Sequence, residues 1–346
     1  MTDPVIIGWD IGGAHVKAAK IDVTGRLLQV ELHACPLWLG LEQLNTAVAQ
    51  VQLAFKCTPA QHVITMTGEL VDLFANREQG VREILVVLAT LLGEQIYVFA
   101  GAKGILPLAR VETQHYLAIA SANWLATATF AAQHRPQGML VDIGSTTSDL
   151  LLFKQGEVCV SGYSDFERLR SGELIYTGVI RTAVMAVAQQ AYFQGQMQEL
   201  MAEYFATMAD VYRLTGELQE QHDQTATADG AEKTPQASAR RLARMTGYDF
   251  IESDMPVWQE FAQQLRQKQW QKLLDACTRQ LSRVSMHAPC LIGAGVGRFL
   301  VQDLAQYLSC EYIDFATLLQ AETQDLQLAG SDCAPAVALA CMFAQK

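Results

Sequence analysis

The sequence predicts a two-lobed α/β protein, each lobe built on a mixed sheet, with a cleft between the lobes. Three observations carry this. An apolar strand ends in Asp10-Ile11-Gly12-Gly13, and a second one ends in Asp142-Ile143-Gly144-Ser145, so one strand–loop unit occurs twice. A third glycine-rich turn, Gly293-Ala294-Gly295-Val296-Gly297, sits between a strand and a helical stripe. Finally, 346 residues exceed one ordinary core, which takes roughly 100–200 residues.

The elements follow in order. Val5 to Trp9 is a short apolar strand, Val16 to Val23 alternates, Thr24-Gly25 marks a turn, and Leu27 to Leu32 continues the sheet. Leu41, Leu44, Val48, Val51 and Phe55 recur at helical spacing. His62 to Met66 reads as a strand, Val81 to Leu92 as an apolar helix and Ile96 to Phe99 as another strand. The uncharged run Tyr116 to Gln133 is Ala/Thr-rich and carries Asn123, the mark of a buried helix rather than a membrane span.

The pattern then restarts. Gly138 to Val141, Leu150 to Phe153 and Val158 to Val160 read as strands, with Gln155-Gly156 a turn. Cys290 to Ile292 is a strand, Val296 to Leu308 a helix, and Pro335 to Phe343 a closing apolar helix. The expected lobes are residues 1–135 and 136–346. The second is interrupted at about 169–271 by a helical insertion whose hydrophilic stretch, Gln219 to Ser238, reads as a mobile loop.

Composition excludes several classes. Half the residues are hydrophobic and 18% charged, which argues against a mostly disordered chain. The net charge is −11 and no Lys/Arg run supplies the basic footprint that nucleic acid requires. The eight cysteines, Cys57 among them, show neither CxxC pairs nor zinc-type spacing. Met1-Thr2-Asp3-Pro4 lacks the character of a signal peptide. The expectation is a cytoplasmic protein that engages neither membrane nor nucleic acid.

The repeated loop suggests phosphate chemistry. Asp10 and Asp142 can hold a cation or a water, Gly12, Gly13 and Gly144 let a ligand approach the backbone, and turn N–H groups cradle an anion. Ser145, Thr146 and Thr147 add hydroxyls, and Lys17 adds a positive charge seven residues after Asp10. Two such loops face to face would clamp a phosphate or diphosphate through Mg²⁺ held by few carboxylates and several waters. A dinucleotide fold is the rival for Gly293 to Gly297, but little chain remains beyond it for another half. No GxxxxGK[ST] motif is present.

Glu69 follows Thr67-Gly68 after a strand and reads as a helix start facing the cleft, a candidate general base together with Asp72. The pattern recurs as Ser171-Gly172-Glu173-Leu174 and Thr215-Gly216-Glu217-Leu218, read as further helix starts. Tyr176 and Arg181 are candidates for the substrate side, with Arg181 one helical turn beyond Thr177. Asp210 and Arg213 read as a surface pair, and Arg240, Arg241 and Arg244 as a solvated basic face or a clamp for a carboxylate.

The three loops in this order resemble the actin / sugar kinase / Hsp70 (ASKHA) superfamily, with its two RNase H-like lobes. The resemblance narrows on Thr65 to Phe74, Val141 to Asp149, Ser171 to Gly178, Ala209 to Arg213 and Arg241 to Met245. These are similar to the hydantoinase/oxoprolinase-related proteins of tetrahydromethanopterin-linked one-carbon metabolism. The group includes the synthase family of methanofuran biosynthesis. The resemblance implies a transferase that joins a furan-methanol diphosphate to the phenol of glutamyltyramine and releases diphosphate. It implies Mg²⁺ at Asp10 and Asp142, and Gly293, Gly295 and Gly297 near a substrate or nucleotide. The alternatives are an ATP-dependent kinase or ATPase using the same loops, and a non-catalytic nucleotide-binding assembly protein.

Overall fold

The computed structural model of the chain describes residues 5–56 and 60–346, so the expectations placed on Met1 to Pro4 and on Cys57 lie outside the described residues. Six strands make the first sheet: β1 (Val5–Ile11), β2 (His15–Asp22), β3 (Leu27–Ala34), β4 (Ala60–Met66), β5 (Ile96–Phe99) and β6 (Ile105–Pro107). Their order is β3-β2-β1-β4-β5-β6, antiparallel from β3 to β1, parallel from β1 to β5, with β6 antiparallel at the edge. Helices α1 (Glu42–Phe55) and α2 (Arg77–Leu92) cover one face. Alternation along β1 puts Ile7, Trp9 and Ile11 into the core on that face, while Ile6, Gly8 and Asp10 point to the other.

The chain leaves this sheet through α3 (Tyr116–Ile119) and α4 (Asn123–His134). A second sheet begins with β7 (Gln137–Ile143), β8 (Ser148–Lys154) and β9 (Glu157–Val158), and α5 (Asp165–Ser171) leads to β10 (Leu174–Ile175). An excursion follows through β11 (Gln190–Phe193), β12 (Gln196–Glu199), α6 (Met208–Thr215), α7 (Pro235–Thr246) and α8 (Met255–Leu281). The chain re-enters the sheet as β13 (Cys290–Ala294), α9 (Arg298–Tyr307) and β14 (Glu311–Asp314), and closes with α10 (Gln324–Asp332) and α11 (Ala334–Ala344).

The second sheet has the order β10-β8-β7-β13-β14, with β9 also on β8. Strands β7, β8, β13 and β14 thus repeat the places and directions of β1, β2, β4 and β5. This is the duplicated, two-lobed arrangement that the sequence predicts. Helices α4 and α11 lie between the sheets, in one core with Ile6 and Val63 of the first and Leu140, Phe153 and Ile292 of the second.

Several readings need correction. The closing helix, expected in the second lobe, packs on β1, β2 and β4, because its run from Ala334 to Cys341 is buried all round and needs apolar cover on every side. The 169–271 region is not wholly helical: Gln194 and Gly195, at φ of 50° and 78°, turn the β11–β12 hairpin. Residues 177–183 form no helix, so Arg181 is placed by its own backbone bonds rather than by a helical turn. Ser171-Gly172 and Thr215-Gly216 end helices rather than start them, with Gly172 and Gly216 in the left-handed conformation that closes a helix.

The Asp210–Arg213 pair is buried, not superficial, and Arg241 is fully buried against Asp210 and Asp229, which removes it as a carboxylate clamp. Arg213 also binds Asp223 at 2.7 Å, so this ion network ties the stretch from Gln219 to Ser238 onto α6 and α7. No single described helix is long and apolar enough to cross a membrane; the α10–α11 pair is apolar enough together but is bent by 104°.

Candidate active site

The clamp is built by strand register. In the β1–β2 ladder Asp10 stands opposite Lys17; in the β7–β8 ladder Asp142 stands opposite Asp149. Cross-strand partners share a face, and here that face looks into the space between the sheets. Both loops close with the same turn bond, Gly12 N–H to His15 O and Gly144 N–H to Thr147 O, each 2.9 Å. Residues 178–181 wrap the second loop, with N–H groups of Val179 on Gly144 O and of Arg181 on Ser145 O.

A cavity of about 550 Å³ lies between the loops. Of the residues expected at the site, Asp10, Gly12, Gly13 and Lys17 line it from the first lobe, joined by Thr67 and Asp72. From the second lobe come Asp142, Gly144, Ser145, Thr146 and Thr147, with Tyr176 and Arg181.

Four expected residues do not line it. Glu69 lies in a single helical turn, Gly68–Leu70, and is 1% exposed, because α2 presents Gly80 to it and lets the backbone of that turn pack close. Gly293, Gly295 and Gly297 face protein. A Cβ at Gly295 would strike Asp142 Oδ1 and Ile143 O, and one at Gly297 would strike the Ile143 side chain. Gly295 also has a φ of +77°. The turn is spent on seating the second loop. Beyond it, Arg298 holds Asp314 at 3.2 Å and also pairs with Asp332, and Asp332 meets His222 at 2.8 Å.

Charges in the cavity are tightly set. Burial raises Asp10 above the ordinary carboxylate range, against the pull of Lys17 and the 3.4 Å bond from Asn123 Nδ2. Burial, then Asp149, pushes Asp142 up to about 7, with Lys17 opposing. Burial also raises Asp149, opposed by Arg168. Burial alone would lower Lys17, but Asp10 and the carboxylates beyond it outweigh burial and hold it charged. Two helix N-termini add positive potential, since Asn123 opens α4, Pro335 lies in the first turn of α11, and both line the cavity. His15, pushed down to about 4 by burial and then Lys17, stands neutral at the rim.

Several cavity residues were missed by sequence reasoning. Asp149 follows Asp142 by the same seven residues that separate Lys17 from Asp10, so the duplication itself pointed to it. Its partner Arg168 is 2% exposed and stacks 4.1 Å over Trp124, a long-range pairing with no local signal. Ser121, Asn123, Asp165 and Trp38, whose ring carries Arg181 at 5.5 Å, also line the cavity.

Among the described residues no three His, Cys, Asp or Glu side chains form a group suited to a metal ion. Asp10 and Asp142 suit a hard cation that keeps water and phosphate oxygens as its other ligands, the habit of Mg²⁺.

The chain is 28% identical over 294 residues to the (4-{4-[2-(gamma-L-glutamylamino)ethyl]phenoxymethyl}furan-2-yl)methanamine synthase of Methanocaldococcus jannaschii, covering 84% of this chain and 86% of that protein. The protein of the same name from Methanococcus vannielii is 30% identical over 107 residues, 31% of this chain and 48% of that one. The nucleotide-free structure of acetone carboxylase superposes with a TM-score of 0.60 at 11% identity, across 96% of this chain and 70% of that one, a likeness of fold. The hydantoinase/oxoprolinase family model matches residues 61–340, most of the chain and all of the second lobe's strands, and the chain belongs to that family.

Proposed function

We propose that the cleft joins a furan-methanol diphosphate to the phenol of glutamyltyramine, forming an aryl ether and releasing diphosphate, in methanofuran-type cofactor biosynthesis for one-carbon metabolism. The observation that carries this is the composition of the cavity wall. Both Asp–Gly loops line it, and none of the three glycines of the late turn does. A site built for a substrate's own diphosphate needs the first two loops and has no use for an adenosine subsite. The two relatives named for an aryl-ether furan amine point the same way.

The residues suit the reaction. Turn N–H groups of the second loop, Lys17, Arg181 and the starts of α4 and α11 would hold the diphosphate and meet the charge it gains on leaving. Mg²⁺ at Asp10 and Asp142 would neutralise part of the same charge. The nucleophile is the harder problem: a phenol has a pKa of about 10, so only roughly 0.1% is ionised at pH 7. A general base is required, and such a group typically contributes about 10²–10⁴-fold.

Calorimetric titration with Mg²⁺ tests the reading, comparing the furan diphosphate with ATP. Binding of the furan compound with negligible ATP affinity is expected, together with diphosphate release only when the phenol is also present. ATP consumption with release of ADP would replace the transferase with a kinase or ATPase, and nucleotide binding without turnover would replace it with an assembly protein.

A further inference from the structure

One hydroxyl in the cavity wall is shared by two carboxylates. Ser121 Oγ lies 2.8 Å from Glu69 Oε1 and 3.1 Å from Asp165 Oδ2. A serine hydroxyl has one proton and can donate to one of them only. The second contact is a hydrogen bond only if a carboxyl donates to Oγ. Glu69 is the group suited to that role: it is 1% exposed, and its Oε2 is buried with no hydrogen-bond partner. An ionised carboxylate with an orphaned buried oxygen is costly, whereas a neutral acid there is far less so.

The backbone is bent to make the arrangement. Ser121 sits between α3 and α4 at φ +51°, a left-handed conformation that a non-glycine residue adopts at a cost. Arg77, the first residue of α2, donates to the same Asp165 Oδ2 at 2.9 Å. Both bonds therefore fall on Oδ2, and Asp165, the first residue of α5, lines the cavity beside Ser121. The charged groups facing Glu69 are Asp165 and Arg77; those facing Asp165 are Arg77, Glu69 and Asp149 of β8.

Given the reaction proposed above, on which this inference rests, we propose that Asp165 is the general base for the phenol, oriented by Arg77 and by the Ser121 hydroxyl that the Glu69 carboxyl backs. The acceptor O–H proton passes to Asp165 as its oxygen bonds to the furan methylene carbon. The bond from that carbon to diphosphate breaks, and the electron pair leaves with the diphosphate. Glu69, Arg77 and Ser121 come from the first lobe and Asp165 from the second, so the base is set in place only when the lobes are together. Glu69 and Ser121 are positioning residues that act through Asp165.

The test measures diphosphate release from the furan diphosphate and glutamyltyramine, binding of inorganic diphosphate, and carboxyl infrared bands. Asp165→Asn should lose roughly 10²–10⁴-fold in kcat with diphosphate affinity unchanged. Wild-type kcat/KM should bend near neutral pH, where both Glu69 and Asp142 ionise, and Glu69→Gln should make that bend shallower and remove one protonated-carboxyl band. Activity of Asp165→Asn within threefold of wild type overturns the assignment, as does parallel loss of diphosphate binding. Should that variant not fold, Ser121→Ala carries the test: kcat at least tenfold lower at unchanged diphosphate affinity is expected, and an unchanged kcat and pH profile refutes the proposal. If the wild type releases no diphosphate from this pair, the reaction is at fault. The infrared result then decides the proton placement: no acid band at pH 6 that Glu69→Gln removes overturns it.

Discussion

Replacing Gly8 by alanine separates the fold described here from any argument made on the strand alone. A glycine inside a strand loses more conformational freedom on folding than alanine, so substitution at a compatible backbone should stabilise by about 0.4–1 kcal/mol. The structure reverses the sign. The side of β1 that carries Gly8 is covered by α11, and a Cβ there would lie 2.9 Å from the Ala340 Cβ and closer still to the Ala336 carbonyl oxygen. Carbon atoms in contact prefer about 3.5–4.0 Å and the carbonyl oxygen also needs about 3 Å, so the Ala336 clash sets the shift and α11 would have to retreat by ~1 Å along a helix whose first eight residues are all buried. A radial gap of about 0.5–1 Å forfeits a quarter to a half of each contact's attraction, and overpacking of this kind typically costs about 1–3 kcal/mol. The net expectation is a loss of about 2 kcal/mol. Urea unfolding followed by circular dichroism measures it, and a midpoint equal to or above wild type would refute the placement of α11 on the first sheet.

Three further outcomes follow from the same geometry. Burial raises Glu69 to about 7 in the folded protein, above the ordinary 4.5; the stability due to its proton is full below pH 4.5 and lost as pH rises through 7. The loss amounts to about 3 kcal/mol, so the fall in unfolding free energy across that window should be smaller by about that amount in Glu69→Gln than in the wild type, and the fall that remains belongs to Asp142, which burial also raises to about 7. Arg168→Ala leaves Asp149 buried without its partner and should cost about 3–5 kcal/mol by chemical denaturation, a cost that Asp149→Asn in the same chain should reduce. Asp142→Ala should abolish Mg²⁺-dependent diphosphate binding by calorimetry in a protein that still melts cooperatively; undiminished affinity would remove Asp142 from the clamp.

The fold was legible because its signals are local. Val5 to Trp9 and Gly138 to Val141 announce buried strands by their own composition, and the Asp–Gly turns after them mark both hairpins. Strand order, and the presence of a hairpin inside the 169–271 stretch, were less so, since Gln190 to Glu199 alternates weakly and is committed to a strand pair only by its turn and by packing against α8. Loops at the ends of helices were misjudged for a related reason: Ser-Gly-Glu and Thr-Gly-Glu triplets fit the close of one helix as well as the opening of another, and only the left-handed φ of the glycine decides.

What the sequence determined by itself was the duplicated unit and the residues whose position follows from strand register: Asp10 with Lys17, Asp142 with the hydroxyls after it, and the glycines of both turns. A strand end, a tight turn and the partner seven residues on are set by covalent connectivity and the two-residue period of a sheet. Tertiary structure decided everything that depends on two distant segments meeting. It withdrew Glu69 from the cavity behind Ser121 and put Asp165 there in its stead. It paired Arg168 with Asp149, spent the late glycine turn on packing against Ile143, and laid α11 on the first sheet. Burial and long-range electrostatics are properties of the assembled interior, and a local stretch of chain specifies neither until its neighbours are in place.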